Sequence, residues 1–255
     1  MDKVLITGGC SFSDSGEGHR RTWSTYIQEK YKFNKFVHTG QGASGNELIT
    51  HRLLYSIDKV KQLNYKKIYL AVMWSEIERN DIFTDDLTLS MDTDNGDVSF
   101  LNIYNTNTIP IDLRVKSGFI RPGGKPHNET WYRNEKQRKF IFDYYKFYNE
   151  EYSIMNTLKN IILVQNVCKQ NNIKCVMFIM KNIFESIKKY PQINYLYNTV
   201  DWTNFVLYNK KYGLYEYTAT NDLEFWEDDY HPAYNSHKHF IDNFENEINT
   251  LWKTK

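Results

Sequence analysis

Two kinds of hydrophobic pattern alternate along the first 75 residues. A run from Val4 that stops at two glycines and a short run at residues 35–39 predict strands, and the almost continuously apolar run at residues 66–74 is typical of a strand buried on both faces. The segments between these runs have helical character, and the second of them predicts an amphipathic helix that begins near Asn46. The residues on its apolar face are Ile49, Leu53, Ile57 and Val60. The order strand, helix, strand, helix, strand predicts a parallel sheet of the α/β class.

The regular pattern stops at about Thr84 and returns after Tyr145. Residues 84–145 are polar and rich in turn residues, so we expect an insertion beside the edge of the sheet. After it, residues 154–165 carry a helical stripe and residues 173–180 have the pattern of another buried strand. A 3.6-residue repeat predicts one final helix, with Phe240 or Ile241, Phe244, Ile248 and Leu251 on its apolar face. We therefore expect a single domain over residues 1–255.

The charge and cysteine content argue against several classes of protein. The chain has 32 Lys and Arg against 31 Asp and Glu, so no overall field favours nucleic acid or an acidic membrane as a partner. No apolar run approaches 18 residues and we find no signal peptide, so we expect a cytoplasmic protein without a membrane segment. The three cysteines, Cys10, Cys168 and Cys175, cannot all pair within one chain and lack zinc spacing. This favours a reducing compartment and no metal site.

Candidate chemistry lies at the two ends of the chain. In VLITGGCSFSDSGEG, the first predicted strand stops at two glycines and is followed at once by Ser11. Far along the sequence, Asp228 precedes His231 by three residues, a spacing that lets a carboxylate orient one imidazole nitrogen and leave the other as a base. Parallel strands present their carboxyl ends at one edge of a sheet, so Ser11, His231 and Asp228 can form a catalytic triad there.

Two short motifs resemble those of a known family. GCSFSDS resembles the serine block of SGNH (GDSL-like) hydrolases, and DDYHP resembles their closing Asp-x-x-His-Pro block. The resemblance implies a three-layer, flavodoxin-like parallel sheet. It also implies that Ser11 is the nucleophile, that His231 is the general base and then the general acid, and that Asp228 orients the imidazole.

The same resemblance implies an oxyanion hole. In the family its donors are the amide of the serine, here Ser11, a glycine amide after the second strand, and an asparagine after the third strand. GQGASGNE supplies the glycine, as Gly42 or alternatively Gly45. The third block departs from the family pattern, because the third strand is followed by WSE instead of Gly-x-Asn-Asp. Ser75 is the expected substitute, since its hydroxyl can donate, and Asn80 is the alternative.

The expected function is that of a serine esterase or deacetylase that cleaves an acyl ester without a cofactor. The substrate is a small molecule or a carbohydrate, and the aromatic content of 16% is the feature that favours sugar rings. The alternatives are an acyltransferase that uses the same triad and a non-catalytic ligand-binding module. The sequence does not predict the oligomeric state. GQGASG also matches the Gly-x-Gly-x-x-Gly of dinucleotide-binding proteins, but the strand before it is short. His237 and His239 are expected to face solvent and not to bind a metal.

Overall fold

The structure, a computed structural model, describes residues 3–14, 21–33, 35–84, 118–120, 134–226 and 230–253. Six strands lie within these ranges: β1 (Lys3–Gly9), β2 (Lys35–His38), β3 (Lys67–Trp74), β4 (Ile82–Thr84), β5 (Gly118–Ile120) and β6 (Lys174–Ile179). The α-helices of the same ranges are α1 (Trp23–Lys30), α2 (Asn46–Gln62), α3 (Glu135–Lys146), α4 (Glu150–Gln170), α5 (Phe184–Lys188), α6 (Asn194–Thr199), α7 (Leu214–Thr220), α8 (Tyr234–Asn243) and α9 (Glu245–Lys253). No helix in the described part of the chain is long and apolar enough to cross a lipid bilayer.

Four of the strands form the parallel sheet that the hydrophobic pattern predicts. Their order is β2-β1-β3-β6, so β1 and β3 are the central strands. In the register of the sheet, Leu5 lies opposite Phe36 on one side and Tyr69 on the other. Successive residues of β1 point to opposite faces, yet Val4, Leu5 and Ile6 are all fully buried. Both faces of the strand are therefore covered, which explains why its sequence is continuously apolar.

Two neighbouring residues of β6 show that helices cover both faces of the sheet. The ring of Phe178 packs against Trp23 of α1 and Phe240 of α8. Met177 points to the opposite face, where its sulfur lies 3.8 Å from the side-chain nitrogen of Gln165 in α4. The helices α2 and α4 also pack against each other. The protein is thus an α/β fold, compatible with three layers.

The predicted helices are confirmed with one correction. α2 begins at Asn46, as its sequence pattern predicts. The final helix, which the sequence predicts as one, is two helices, α8 and α9, with Phe244 between them. Hydrogen bonds from Phe244 to Phe240 and from Ile248 to Phe244 continue the helical pattern across the interruption. Trp252, which is 7% exposed, continues the buried stripe where the sequence analysis placed Leu251.

Three elements belong to the predicted insertion at 84–145. β4 begins two residues before it and pairs antiparallel with β5, so that Ile82 lies opposite Ile120. The helix α3 was not predicted from the sequence, because most of its residues are polar and give no clear apolar face. Ile141 is its fully buried residue, packed with Ile82 and two aromatic side chains in a small cluster separate from the main core. Residues 85–117 and 121–133 lie outside the described ranges.

Candidate active site

Ser11 lies just beyond the carboxyl end of β1, in a tight turn. The amides of Ser13 and Asp14 both donate to the carbonyl of Cys10, at 2.8 and 3.0 Å, which folds the chain back after the strand. Cys10 itself is fully buried, and its thiol lies 3.1 Å from the sulfur of Met180. Ser11 is only partly buried. The turn therefore presents the Ser11 side chain at the edge of the sheet while its neighbours are held in the core.

Ser13 anchors this turn to the beginning of α1. Its hydroxyl accepts a hydrogen bond from Nε1 of Trp23 at 3.0 Å, and its carbonyl accepts one from the hydroxyl of Thr22 at 3.1 Å. A Cβ on Gly9 would lie 2.1 Å from the Ser13 oxygen, and a Cβ on Gly40 would lie 2.8 Å from the Ser13 Cβ. Glycine is therefore required at both positions by the close approach of the loops after β1 and β2.

His231 lies beside this turn, although it comes from the other end of the chain. Its ring packs against the ring of Phe12, with centroids 5.1 Å apart and planes at 59°. The backbone around it is fixed by a bridge between Phe225 and Pro232 and by a hydrogen bond from Trp226 to the carbonyl of His231. The structure thus brings His231 against the immediate neighbour of Ser11. Asp228, the third predicted member of the triad, lies outside the described residues.

The glycine amides proposed for the oxyanion hole already donate to carboxylates. The amide of Gly42 donates to Oδ2 of Asp14 at 2.6 Å, and the amide of Gly45 donates to Oδ1 of Asp81 at 2.8 Å. These bonds close the loop after β2 onto its neighbours. They also disfavour the dinucleotide interpretation of GQGASG, because a pyrophosphate would have to displace two carboxylates from these amides.

The two candidates after β3 are held in different ways. The amide of Ser75 donates to the side chain of Asn46 at 2.8 Å, and the Asn46 side chain donates back to the Ser75 carbonyl at 3.3 Å. The Ser75 hydroxyl is buried and has no hydrogen-bond partner among the described residues. The Asn80 side chain makes its hydrogen bonds to Ser153 of α4 and to the carbonyl of Glu78. These contacts hold Asn80 against α4.

Arg79 makes the contact to Ser11 that the sequence analysis missed. Its Nη1 atom donates to the Ser11 hydroxyl at 3.3 Å, and its side chain is only 11% exposed. Nε of Arg79 lies 3.5 Å from the carboxylate of Glu76, and that carboxylate also binds Nζ of Lys181 at 2.6 Å. The sequence feature that could have indicated this contact is the presence of an arginine in the loop after the third strand. That loop lies at the same edge of the sheet as Ser11.

Glu76 is a carboxylate held between these two cations. Burial acts to raise the pKa of its side chain, but Arg79 and Lys181 outweigh burial, and the pKa lies below its ordinary value. Glu76 is therefore ionised near neutral pH. The ionised carboxylate attracts the Arg79 guanidinium, which lies beside Ser11.

The loop that carries Arg79 is fixed from two sides. Asp81 accepts hydrogen bonds from the amides of Gly45 and Leu48, each at 2.8 Å, and so caps the amino terminus of α2. A Cβ on Gly45 would lie 2.1 Å from the carbonyl oxygen of Arg79. On the other side, the hydroxyl of Tyr145 in α3 donates to the carbonyl of Glu78 at 2.9 Å. A helix of the insertion therefore supports the site.

Two histidines near the site are buried and neutral. Burial lowers the pKa of His38 to about 4 and that of His237 to about 3. The expectation that His237 faces solvent is wrong, because this side chain is 2% exposed on the inner side of α8. His239 is exposed, and its ring accepts or donates a hydrogen bond with the hydroxyl of Tyr217 at 2.7 Å. The described residues contain no cluster of three or more metal-ligating side chains.

No protein-family model, curated protein or solved structure matches this chain. What the site can do therefore follows from its own residues. A serine hydroxyl that accepts from a guanidinium, and an imidazole packed on the residue next to that serine, are groups that can attack a carbonyl, move a proton and stabilise negative charge.

Proposed function

We propose that this chain is a serine esterase of the SGNH type that removes an acyl group, with acetyl as the first candidate, from a hydroxylated substrate such as a sugar. The observation that carries the proposal is the packing of the His231 ring on Phe12, next to Ser11 at the carboxyl end of β1. This contact brings an imidazole from one end of the chain against the residue beside a serine from the other end. It supports the proposal because acyl transfer requires a base close to its nucleophile.

The strand order supports a flavodoxin-like, three-layer fold as the scaffold of this site. The order β2-β1-β3-β6 corresponds to the first four positions of the flavodoxin-like order 2-1-3-4-5. A parallel bridge between Met177 and Phe205, with a hydrogen bond from Val206 to Met177 at 2.9 Å, continues the sheet beyond β6. In such sheets ligands bind at the carboxyl ends of the strands, where Ser11 lies.

The proposed reaction has two halves. The Ser11 hydroxyl attacks the acyl carbonyl while His231 accepts its proton, and the tetrahedral intermediate then collapses as His231 protonates the departing alcohol. A water molecule next attacks the acyl-enzyme, again losing its proton to His231. The second intermediate releases the acid and returns the proton to Ser11. Asp228 is assigned to orient the imidazole on the basis of the DDYHP motif.

The test is hydrolysis of p-nitrophenyl acetate and of its longer-chain homologues by the wild type and by Ser11→Ala and His231→Ala. We expect turnover in the wild type and a loss of about a thousandfold or more in either variant. Ser186→Ala, a partly buried serine in α5, is the matched control and keeps wild-type activity. Equal product release by the wild type and Ser11→Ala would exclude the proposed triad.

The same assay separates hydrolysis from transfer. With glycerol added as a second alcohol, an acyltransferase forms a new ester from the acyl-enzyme, whereas an esterase releases the free acid. An acetylated sugar offered beside p-nitrophenyl acetate then tests the carbohydrate substrate. Binding of such a sugar without any turnover would favour the non-catalytic module.

A further inference from the structure

The position of Arg79 bears on how the site handles negative charge. Its Nη1 atom donates to Oγ of Ser11 at 3.3 Å. When Ser11 attacks a carbonyl, its oxygen and the new oxyanion are bonded to the same tetrahedral carbon. A donor within reach of the first oxygen is therefore close to the second. A guanidinium has five N–H groups in one plane. While one of them donates to Oγ of Ser11, another can donate a second hydrogen bond to the oxyanion.

Three of the other donors that the sequence suggested make hydrogen bonds elsewhere, and the Ser75 hydroxyl is buried with no hydrogen-bond partner among the described residues. The amides of Gly42 and Gly45 donate to Asp14 and Asp81. The Asn80 side chain is bonded within the interface with α4, and the backbone of Ser75 is bonded to Asn46. In the described part of the chain, Arg79 is the side chain that donates a hydrogen bond to the Ser11 hydroxyl.

Arg79 is also held in advance of any reaction. Its side chain is 11% exposed, and its backbone packs against Gly45 at a distance that excludes even a methyl group. The carboxylate of Glu76 lies 3.5 Å from Nε of Arg79, and Nζ of Lys181 binds the same carboxylate at 2.6 Å. A donor fixed before the reaction costs little reorganisation when charge develops, which is the property of an effective oxyanion hole.

From this geometry we infer that Arg79 is the charged donor that stabilises the oxyanion, in the role that the asparagine of the third motif has in SGNH hydrolases. The inference rests on the proposed esterase function. The ester carbonyl is neutral in the ground state and its oxygen becomes negative in the transition state, so a cation at this place binds the transition state more tightly than the substrate. On this inference, Arg79 replaces the asparagine that the third block lacks, and catalytic power is retained.

The experiment is steady-state kinetics with p-nitrophenyl acetate for Arg79→Gln, Arg79→Lys and the control Arg138→Gln. Arg138 is a partly exposed arginine of α3, paired with Glu135. We expect kcat to fall about 10²- to 10³-fold in Arg79→Gln, with KM changed less than about threefold. Arg79→Lys keeps the charge without the planar fork and is expected to lie between Arg79→Gln and the wild type. Arg138→Gln is expected to keep the wild-type kcat.

A second ester distinguishes this role from recognition of an anionic substrate. p-Nitrophenyl hemisuccinate carries a carboxylate on its acyl chain. If Arg79 only binds such a group, Arg79→Gln raises KM for the hemisuccinate and leaves kcat for the acetate intact, and the inference is overturned. If Arg79 stabilises the oxyanion, kcat falls by a similar factor for both esters.

The failure of this inference is separable from the failure of the proposed function. Activity that Ser11→Ala abolishes but Arg79→Gln retains leaves the esterase standing and removes Arg79 from its chemistry. Activity that Ser11→Ala retains overturns both. Thermal unfolding of each variant shows whether it folds. If Arg79→Gln does not, the milder Arg79→Lys decides: a reduced kcat at an unchanged melting temperature supports the inference, and a full kcat overturns it.

Discussion

The ring of His231 rests on the ring of Phe12, with the two centroids 5.1 Å apart. Phe12 is 3% exposed, so it is a fixed part of the core and not a mobile surface group. Its backbone neighbour is Ser11. Phe12 therefore links the position of the imidazole to that of the hydroxyl, and a change in its shape moves one relative to the other.

If the proposed esterase function holds, we expect Phe12→Leu to reduce kcat for ester hydrolysis by about ten- to a hundredfold, because small displacements of a base from its nucleophile have effects of this size. The measurement is kcat and KM with p-nitrophenyl acetate. Phe33→Leu is the matched control, since Phe33 is also 3% exposed but packs against Tyr69 and Trp252. If the two variants lose the same activity, Phe12 contributes only to the core.

The parts of the fold that the sequence predicted are those in which burial alone determines the pattern. Strands covered on both faces must be apolar throughout, and a helix such as α2 on one face must repeat every 3.6 residues. The helix α3 could not be predicted in this way, because Ile141 is its fully buried apolar residue and one such residue gives no periodic pattern. Its support of the site comes from a hydroxyl, that of Tyr145, which leaves no periodic signal.

For the candidate site, the sequence predicted residues at strand ends better than it predicted contacts within loops. The expectation that Ser11 and His231 come together rests on parallel strands sharing an edge, and the structure places the His231 ring against Phe12, the neighbour of Ser11. The contact of Arg79 with Ser11 depends on how the loop after β3 turns, and the sequence does not show this turn. The burial of His237 was missed because histidine is common on both surfaces and interiors, and the predicted apolar stripe of this helix began only at Phe240 or Ile241.

Gly45 and Gly42 belong to the same loop but differ in the space around them. A Cβ on Gly45 would meet the carbonyl of Arg79 at 2.1 Å, whereas the nearest atom to a Cβ on Gly42 is the carboxylate of Asp14 at 3.3 Å. We expect Gly45→Ala to lower the free energy of unfolding by about 2 kcal/mol or more, since a backbone must move, and Gly42→Ala to change it by less than about 1 kcal/mol. Urea unfolding followed by circular dichroism measures both. Equal losses in the two variants would show that the Gly45 contact relaxes easily.

Asp81 caps α2 with both of its carboxylate oxygens. Removing it in Asp81→Ala leaves the amides of Gly45 and Leu48 without these acceptors, and Asp81 is 6% exposed. We expect a loss of about 2 to 3 kcal/mol in unfolding free energy, and about half of that for Asp81→Asn, which keeps one acceptor oxygen. Asp58→Ala, at an exposed aspartate in the carboxyl-terminal part of α2, is expected to be nearly neutral. If Asp81→Ala is as stable as Asp58→Ala, the cap does not stabilise the helix.

The two buried histidines give the protein a specific sensitivity to acid. In the unfolded chain histidine has a pKa of about 6.5. Burial lowers the pKa to about 4 for His38 and to about 3 for His237. Between these values and about 6.5 the unfolded state binds more protons than the folded state. The free energy of unfolding therefore falls as the pH falls below about 6.5, by roughly 1 kcal/mol per pH unit for each histidine.

Replacing one of these histidines removes its contribution to the pH dependence of the unfolding free energy. We expect His237→Asn to lose stability at pH 7.5 because the core is altered, but to lose less than the wild type as the pH is lowered from 6.5 to 4.5. The measurement is the urea midpoint and slope at several pH values, with the exposed His239→Asn as the control. The control is expected to follow the wild-type profile in shape. If His237→Asn has the same pH slope as the wild type, His237 takes up its proton in the folded protein as easily as in the unfolded chain.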